Sequence, residues 1–250
     1  MCLIAWDWQP ASDLPLLLLA NRDEFYARNA LPLHWWPGNT VLAGRDLQGG
    51  GTWLGLGRNG RLAALTNHRL PTPARANVPS RGELVTRFLL GEGDAAHYLQ
   101  QLLPRAGNYN PFNLLVFDGV QLLGLESRTG TVLSLPPGIG GVSNADFQTP
   151  WPKLEHLKQG LQTQVNRQSL STPELLPLLQ DRTLAPDAQL PHTGIPHAME
   201  RALSAAFITT PAYGTRACSV VKIHRSHAEF TEQSHDAAGP IALVHQAFPR

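Results

Sequence analysis

The order of strand and helix patterns along the chain constrains the fold more than any other feature. Strand-like segments come first, followed in turn by helices, strands, helices and strands again. Parallel strands need a crossover between them, usually a helix, so this segregation argues against a βαβ sheet. It predicts an α+β fold in which antiparallel sheets carry helices on their outer faces. The predicted strands cover residues 2–8, 15–21, 52–57, 61–67, 112–118, 120–126, 131–135, 216–224, 227–232 and 241–245. The predicted helices cover residues 84–90, 94–103, 151–165, 174–180 and 198–208. Residues 28–51 are predicted to form a long loop with brief extended pieces.

Two local signals bear on the first half of the chain. Asn59-Gly60 lies between two strand patterns and predicts a two-residue hairpin turn in which both residues have positive φ. The same dipeptide ends the segment 55–60, which matches the dinucleotide-binding pattern G-x-G-x-x-G. That pattern requires a following helix, and a strand pattern follows here, so we expect a hairpin without a nucleotide. Ser80 to Glu83 predicts a capping box before a helix that Gly91 ends.

Composition excludes several classes of function. The 250 residues suit one domain, 1–250, with a sizeable core. Twenty basic and nineteen acidic side chains leave a net charge of +1, which gives no electrostatic footprint for nucleic acid. The apolar run Leu14–Ala20 is too short to span a bilayer and lacks the flanks of a signal peptide, so we expect no stable membrane insertion. Two cysteines make no disulfide framework, which favours a cytoplasmic location.

The ten histidines do not predict a metal site. His192 and His197 are five residues apart, His224 and His227 are three apart, and neither pair has a carboxylate or cysteine at a familiar ligand spacing. Histidines in surface or capping positions are the commoner explanation, so we expect no metal and no other cofactor. Cys218 falls within a predicted strand, where a buried and inert thiol is the ordinary outcome.

Cys2 differs because of its position. Its small side chain is of the kind after which the initiator Met is removed, and removal would leave a thiol and a free α-amine on one residue. That amine, with a reference pKa of about 7.7–8.0, can act as the base for its own side chain. The alternative is that Cys2 is only the first buried residue of a strand, and position alone leaves both interpretations open.

Polar residues at the ends of predicted strands provide possible partners for Cys2. The second strand ends in the tetrapeptide NRDE, which in a paired hairpin would lie near Cys2. Arg22 would then stabilise a thiolate, and Asp23 would hold or orient an ammonium. Asn67 and Asn144 follow two other strands, and their side-chain amides are suitable donors to an oxyanion. Such residues also simply mark where strands leave the core, so a purely structural role stays open.

Several short motifs, spread over nearly the whole chain, occur here together. They are Met1–Ile4, Ala20–Glu24, Gly44–Asp46, Gly50–Gly55, Ala64–Arg69, Ser80–Leu84, Gly141–Asn144 and Tyr213–Arg216. In this combination they resemble the NRDE family, to which transport and Golgi organisation 2-like proteins belong. That family is similar to the N-terminal nucleophile hydrolases. The resemblance therefore implies a four-layer αββα sandwich of two antiparallel sheets between helices.

Within that superfamily the pattern is most similar to bile-salt hydrolases and penicillin V acylases. The resemblance implies that Cys2 is the nucleophile and that Asp23 is a site residue at the end of the second strand. The acylases place an arginine three residues before that aspartate, where this chain has Ala20. This chain has Arg22 one residue before the aspartate instead. Positions two apart share a strand face, so Arg22 can point the same way as a side chain at position 20. Three more positions resemble acylase site residues, namely the oxyanion donors Asn67 and Asn144 and a late arginine, Arg216.

Three functions are compatible with this sequence. The first is an amidohydrolase in which Cys2, exposed by removal of Met1, attacks a carboxamide and forms an acyl-enzyme. The second, implied by the family's links to haem and lipid handling, is a non-catalytic carrier of haem or another amphipathic ligand on the same fold. The third is an interaction protein with Cys2 as packing. We favour the hydrolase, with a small-molecule amide or amphipathic ligand as partner, and the sequence predicts no oligomeric state.

Overall fold

Thirteen strands and five α-helices form within residues 2–250, the part of the chain that the computed structural model describes. Met1, which we expect to be removed, lies outside the described residues. The strands are β1 Cys2–Trp8, β2 Leu16–Phe25, β3 Ala30–Trp35, β4 Val41–Asp46, β5 Leu54–Gly57, β6 Leu62–Asn67, β7 Phe112–Phe117, β8 Leu122–Glu126, β9 Thr131–Ser134, β10 Gly138–Val142, β11 Tyr213–Ile223, β12 His227–Asp236 and β13 Gly239–Pro249. The helices are α1 Gly82–Leu90, α2 Ala95–Leu102, α3 Pro152–Arg167, α4 Thr172–Leu179 and α5 His197–Ala202.

The strands form two antiparallel sheets. The first sheet has six strands in the order β10-β1-β2-β11-β12-β13, so it contains both the first and the last strand. The second sheet has seven strands in sequence order from β3 to β9, each paired with the next. Every neighbouring pair is antiparallel, including β6 and β7, which α1 and α2 separate along the chain.

Side chains that alternate along β1 show how the layers are built. Ile4 and Trp6 face the second sheet and join the core between the sheets. Leu3 and Ala5 point the other way and pack beneath α3 and α4. On the far side, α1 and α2 cover the outer face of the second sheet. The predicted four-layer αββα sandwich is therefore confirmed. Within residues 2–250, every helix is too short or too polar to cross a membrane.

Strand boundaries differ from the predictions where pairing between distant segments overrides local composition. β2 was predicted to end at Asn21, but it continues to Phe25 because β11 pairs with it as far as Tyr213. The predicted loop at 28–51 contains β3 and β4, which pair with each other around an irregularity after Leu31. The whole NRDE tetrapeptide thus lies inside β2, one residue before its end.

The predicted hairpin between β5 and β6 forms, but its turn differs from the prediction. Only Gly60 has a positive φ, +79°, and its N–H donates to the Gly57 carbonyl. Asn59 keeps a negative φ and its side-chain oxygen accepts from the Arg61 amide. A turn closed by one left-handed glycine is the usual form of a slightly longer hairpin loop. The G-x-G-x-x-G match is therefore a hairpin, as expected.

Helix ends were predicted less well than helices. The capping box at Ser80 is wrong, because the N-cap of α1 is Arg81 and no side chain caps it. A complete capping box occurs instead at Ser171 and Glu174, at the start of α4. The helix predicted over 198–208 ends at Ala202, since the residues that follow turn back toward the first sheet.

Candidate active site

A cavity of about 590 Å³ lies at one end of the sandwich and is lined by both sheets. Cys2, at the start of β1, lines it and is paired in register with Arg22 of β2. Because strand side chains alternate, Cys2 lies on the same face of β1 as Ile4, which points between the sheets. The predicted proximity of Cys2 and Arg22 thus follows from the pairing of the first two strands.

The NRDE tetrapeptide divides its side chains between the two faces of β2. Asn21 points to the helical side, where its side-chain amide donates to the carbonyls of Leu179 and Ala206 at 2.7 and 2.8 Å. Leu179 is the last residue of α4, so Asn21 satisfies a carbonyl that a helix end leaves open. Asp23 is buried and accepts from the Thr215 hydroxyl at 2.7 Å. Asn21 is therefore structural, whereas Arg22 and Asp23 both reach the cavity.

Arg22 belongs to a network of ion pairs on the cavity wall. Its Nη2 lies 3.1 Å from Oδ2 of Asp46, and Nε of Arg28 lies 2.6 Å from the same oxygen. Glu24 adds weaker contacts to both arginines, at 4.0 and 3.8 Å. Burial opposes ionisation of Asp46, but Arg28 and the Gly49 amide still lower the pKa of its carboxyl below the ordinary value. The network fixes the guanidinium of Arg22 on the cavity wall.

The Cys2 thiol is only 6% exposed, and this burial dominates its chemistry. Burial raises the pKa of the thiol to about 11, and the carboxylate of Asp23 adds to the rise while Arg22 opposes it. A thiol with that pKa is ionised at about one part in ten thousand at pH 7. Because the thiolate is the nucleophilic form, Cys2 needs a base to react at neutral pH.

Two cations near this site were missed by the sequence analysis. Arg81 lines the cavity, and burial lowers the pKa of its guanidinium while the charge of an ionised Cys2 opposes that fall. Lys153, in the first turn of α3, is buried, and its Nζ has no hydrogen-bond partner among residues 2–250. Burial lowers the pKa of Lys153 to about 8, with Asp23 and Cys2 opposing the fall.

Both cations could have been suspected from the sequence. Each lies at the start of a helix, where the helix dipole disfavours positive charge. The predicted capping box includes Arg81 without assigning it a role, and the helix predicted over 151–165 includes Lys153 without assigning it one.

The two predicted oxyanion donors differ in their surroundings. Asn67, the last residue of β6, lines the cavity, and its side-chain amide has no hydrogen-bond partner among the described residues 2–250. Asn144 is fully buried, and its amide donates to the backbone carbonyl of Asn67 at 2.9 Å. It therefore supports the segment that carries Asn67. A direct role for either amide in catalysis stays a prediction.

Arg216 lies at a β-bulge of β11 and lines the cavity. Its Nη1 donates to the carbonyls of Phe25, Tyr26 and Arg28 at 3.1 Å each, and its Nε donates to the carbonyl of His235 at 3.0 Å. These bonds hold the turn after β2 in place. Its role as a late catalytic arginine stays a prediction.

Histidines occur at two places that matter here. His235 lines the cavity, but it is 6% exposed and its ring packs edge-on against Phe207 at 4.9 Å. His224 and His227 lie at the opposite end of the first sheet with Glu229 beside them. The sequence spacing indicates no carboxylate ligand for this pair, but Glu229 lies within 3.6 Å of both imidazoles because β11 pairs with β12.

Comparison with known proteins places this geometry in a family. The family model described as Transport and Golgi organisation 2 matches residues 1–237. The chain belongs to that family. The Transport and Golgi organization protein 2 homologs of Homo sapiens and Bos taurus are 35% and 34% identical, over 94% and 96% of this chain and 93% and 95% of their own. The Drosophila melanogaster protein of the same family is 27% identical over 90% of this chain and 88% of its own. The family resemblance inferred from the motifs is confirmed.

Two solved structures are similar to this chain at lower identity. The C2A mutant of the conjugated bile acid hydrolase from Clostridium perfringens has a TM-score of 0.47 and 11% identity, covering 100% of this chain and 92% of that one. An N-acylethanolamine-hydrolyzing acid amidase ortholog from Caenorhabditis elegans has a TM-score of 0.42 and 11% identity, covering 71% and 85%. At these scores neither likeness decides a function.

Proposed function

We propose that this protein is an N-terminal cysteine amidohydrolase whose active form begins at Cys2. The observation that carries the proposal is the Cys2 thiol in a cavity of about 590 Å³, paired in register with Arg22 and close enough to Asp23 for its charge to act on the thiol. Reaction at neutral pH needs a base, and the α-amine of Cys2 is the nearest group that can serve once Met1 is removed. Asp23 would hold that amine when it carries a proton.

The proposed reaction has two stages. The α-amine takes the thiol proton as sulfur attacks the carboxamide carbon, and the carbonyl π electrons move to oxygen. Asn67 would donate to this oxyanion from the cavity wall. Collapse of the adduct breaks the C–N bond, and the α-ammonium gives its proton to the leaving amine. Water, deprotonated by the same α-amine, then attacks the thioester, and a carboxylic acid leaves as the Cys2 thiol re-forms.

The lining of the cavity favours an amphipathic substrate with an anionic group. Six arginines and four acidic residues line it, so the cavity carries an excess of positive charge when all are ionised. Trp53, Leu31 and Leu65 provide apolar surface beside these charges. The lining residues with charge are Arg22, Arg28, Arg45, Arg75, Arg81, Arg216, Asp23, Glu24, Asp46 and Glu232. A cytoplasmic location belongs to the proposal, because the mechanism needs Cys2 reduced.

The experiment combines intact mass with thiol labelling. Protein from its native host should lack Met1, and a thiol-directed acyl probe at pH 7 should modify Cys2. A variant with a bulky residue inserted after Met1 blocks removal of Met1, so it should label at least tenfold more slowly at pH 7 and speed up toward pH 11. Cys2→Ala should fold and neither label nor hydrolyse an amide, whereas Cys218→Ala is the matched control and should behave as the native chain.

Two results would overturn the proposal. Native protein that keeps Met1 and still hydrolyses amides at the full rate would exclude the α-amine as base. Native protein that loses Met1 but shows no selective labelling at Cys2 would exclude Cys2 as nucleophile.

The carrier remains a second candidate because the Cys2 thiol is buried and protonated at neutral pH when its nitrogen is blocked. A chain that retains Met1 would then offer only a charged, partly apolar cavity for haem or another amphipathic ligand. Saturable ligand binding without turnover, unchanged in Cys2→Ala, would favour the carrier.

A further inference from the structure

We infer that His224, His227 and Glu229 form a binding site for a divalent zinc-class cation, separate from the cavity around Cys2. The three ligand atoms lie within 4.8 Å of one another. Nε2 of His227 is 3.3 Å from Oε1 of Glu229, and Nε2 of His224 is 3.6 Å from the same oxygen. The two imidazole rings are stacked, with centroids 4.1 Å apart and planes 5° from parallel, so at least one ring must rotate out of the stack for both Nε2 lone pairs to point at one ion.

Two of the three ligand-to-ligand distances match the edges of a tetrahedral zinc site. Bonds of about 2.1 Å from zinc to imidazole nitrogen and carboxylate oxygen place neighbouring donors about 3.4 Å apart. The two measured edges, 3.3 and 3.6 Å, are within a few tenths of this spacing. Three protein ligands leave the fourth position for water or another small ligand, as in open zinc sites. Imidazole with carboxylate is a donor set that zinc accepts well.

Neighbouring groups orient the ligands. Ser226 Oγ lies 3.2 Å from Nδ1 of His227, and a hydrogen bond donated by Nδ1–H to that oxygen would leave Nε2 with the lone pair that a metal needs. Nε2 of His224 is buried and has no hydrogen-bond partner within residues 2–250. Lys222 Nζ lies 3.5 Å from Oε2 of Glu229, the carboxylate oxygen that does not face the imidazoles. The side chains of His227 and Glu229 are 41% and 26% exposed, so an ion can reach them.

The fold places this site far from Cys2. His224 and His227 flank the tight turn between β11 and β12, which the His224 amide closes by donating to the His227 carbonyl at 2.8 Å. Ala217 of β11 lies beside Arg22, and Ile223 lies six residues further on, a rise of about 20 Å along the strand. Lys222 and Glu229 pair directly across the strands, on the face opposite Ile223 and Ala228, which pack between the sheets.

The test uses the full chain after treatment with a chelator. Titration with Zn²⁺ followed by calorimetry should show one saturable site per chain, and Co²⁺ should give the strong visible absorption of a tetrahedral complex. His227→Ala and Glu229→Gln should each weaken binding about 100-fold or more, since even second-shell changes cost 10–100-fold. His192→Ala, in an exposed loop, is the matched control and should bind as the native chain.

Cys2→Ala separates this site from the cavity, because zinc should still bind to that variant. Stoichiometric zinc binding that survives in both His227→Ala and Glu229→Gln would overturn the assignment. So would the lack of a saturable one-to-one site in the native chain, or its loss in Cys2→Ala.

Discussion

The carboxylate of Asp23 has opposite effects on a thiol and on an amine. It raises the pKa of the Cys2 thiol, so in a chain that retains Met1 it suppresses the thiolate. In a chain that begins at Cys2, the same carboxylate would stabilise the α-ammonium that accompanies a thiolate. Asp23→Asn keeps an oxygen that can accept from Thr215, so the fold should survive the change. The two forms of the chain therefore report different roles for one residue.

We predict that Asp23→Asn speeds labelling of Cys2 at pH 7 in the Met1-blocked chain and slows it in the processed chain. Arg22→Ala should slow labelling in both, because Arg22 lowers the thiol pKa. Each pKa unit corresponds to about a tenfold change in thiolate, and a few-fold change is the expected scale. Stopped-flow labelling, with thermal melts to verify folding, measures these rates. Equal rates in all variants would make Arg22 and Asp23 structural residues only.

Two helices of this protein have a basic residue at their N-terminal end, where acidic or capping residues are usual. Arg81 is the N-cap of α1, and Lys153 lies in the first turn of α3, two places where the dipole disfavours a cation. Both are buried or half-buried near Cys2. Departures of this kind are expected at functional sites, where local stability is sacrificed.

Lys153 gives a prediction for stability against pH. Its pKa is about 8 in the folded chain and about 10.5 in the unfolded chain, so the unfolded chain binds more protons between those values. The contribution of Lys153 to the free energy of unfolding therefore rises as the pH rises from about 8 to 10.5. The penalty below pH 8 is on the order of 3 kcal/mol. Lys153→Met should be more stable than the native chain at pH 7, with the difference closing toward pH 10.5.

Urea unfolding at a series of pH values measures this difference. Lys158→Met is the matched control, since Lys158 lies on the same helix, partly exposed and paired with Glu155 at 2.9 Å. Its stability curve should run parallel to that of the native chain. A parallel curve for Lys153→Met as well would mean that Lys153 is not held as a buried ammonium in the folded chain.

Local sequence patterns predicted elements whose signal is local and missed those that depend on pairing. β1 has its predicted bounds because an apolar run interrupted only by Asp7 forms it, and its pairing with β2 brings Cys2 beside Arg22 as expected. Asp23 to Phe25 of β2 were missed because these residues belong to a strand only through β11, whereas Arg22 also pairs with Cys2 of β1. The proximity of Glu229 to the two histidines was missed for the same reason. It depends on the register of β11 with β12, which neither strand's sequence determines alone.

At the scale of the whole molecule, the cavity lies where the two sheets end together, so both contribute its charge. Asp23 and Glu232 are buried in the first sheet, and Arg45 and Arg75 reach it from the second sheet and its loops. Arg45 is half-buried and Arg75 is exposed, so solvent and salt reach both. Their attraction for a ligand should therefore be long-ranged and sensitive to ionic strength.

We predict that an amphiphile with a carboxylate protects Cys2 from labelling better than its methyl ester of equal chain length. The preference should shrink as salt rises, because exposed charges separated by more than about 10 Å are screened at 0.1 M. Arg45→Gln and Arg75→Gln should each reduce protection about two- to fivefold, the scale of one exposed charge at up to 1 kcal/mol. Arg87→Gln is the matched control, since Arg87 is exposed on α1 and does not line the cavity. Because the assay measures ligand occupancy of the cavity rather than turnover, the prediction applies to a hydrolase and to a carrier alike. Equal protection by acid and ester at every salt concentration would show that apolar contacts alone select the ligand.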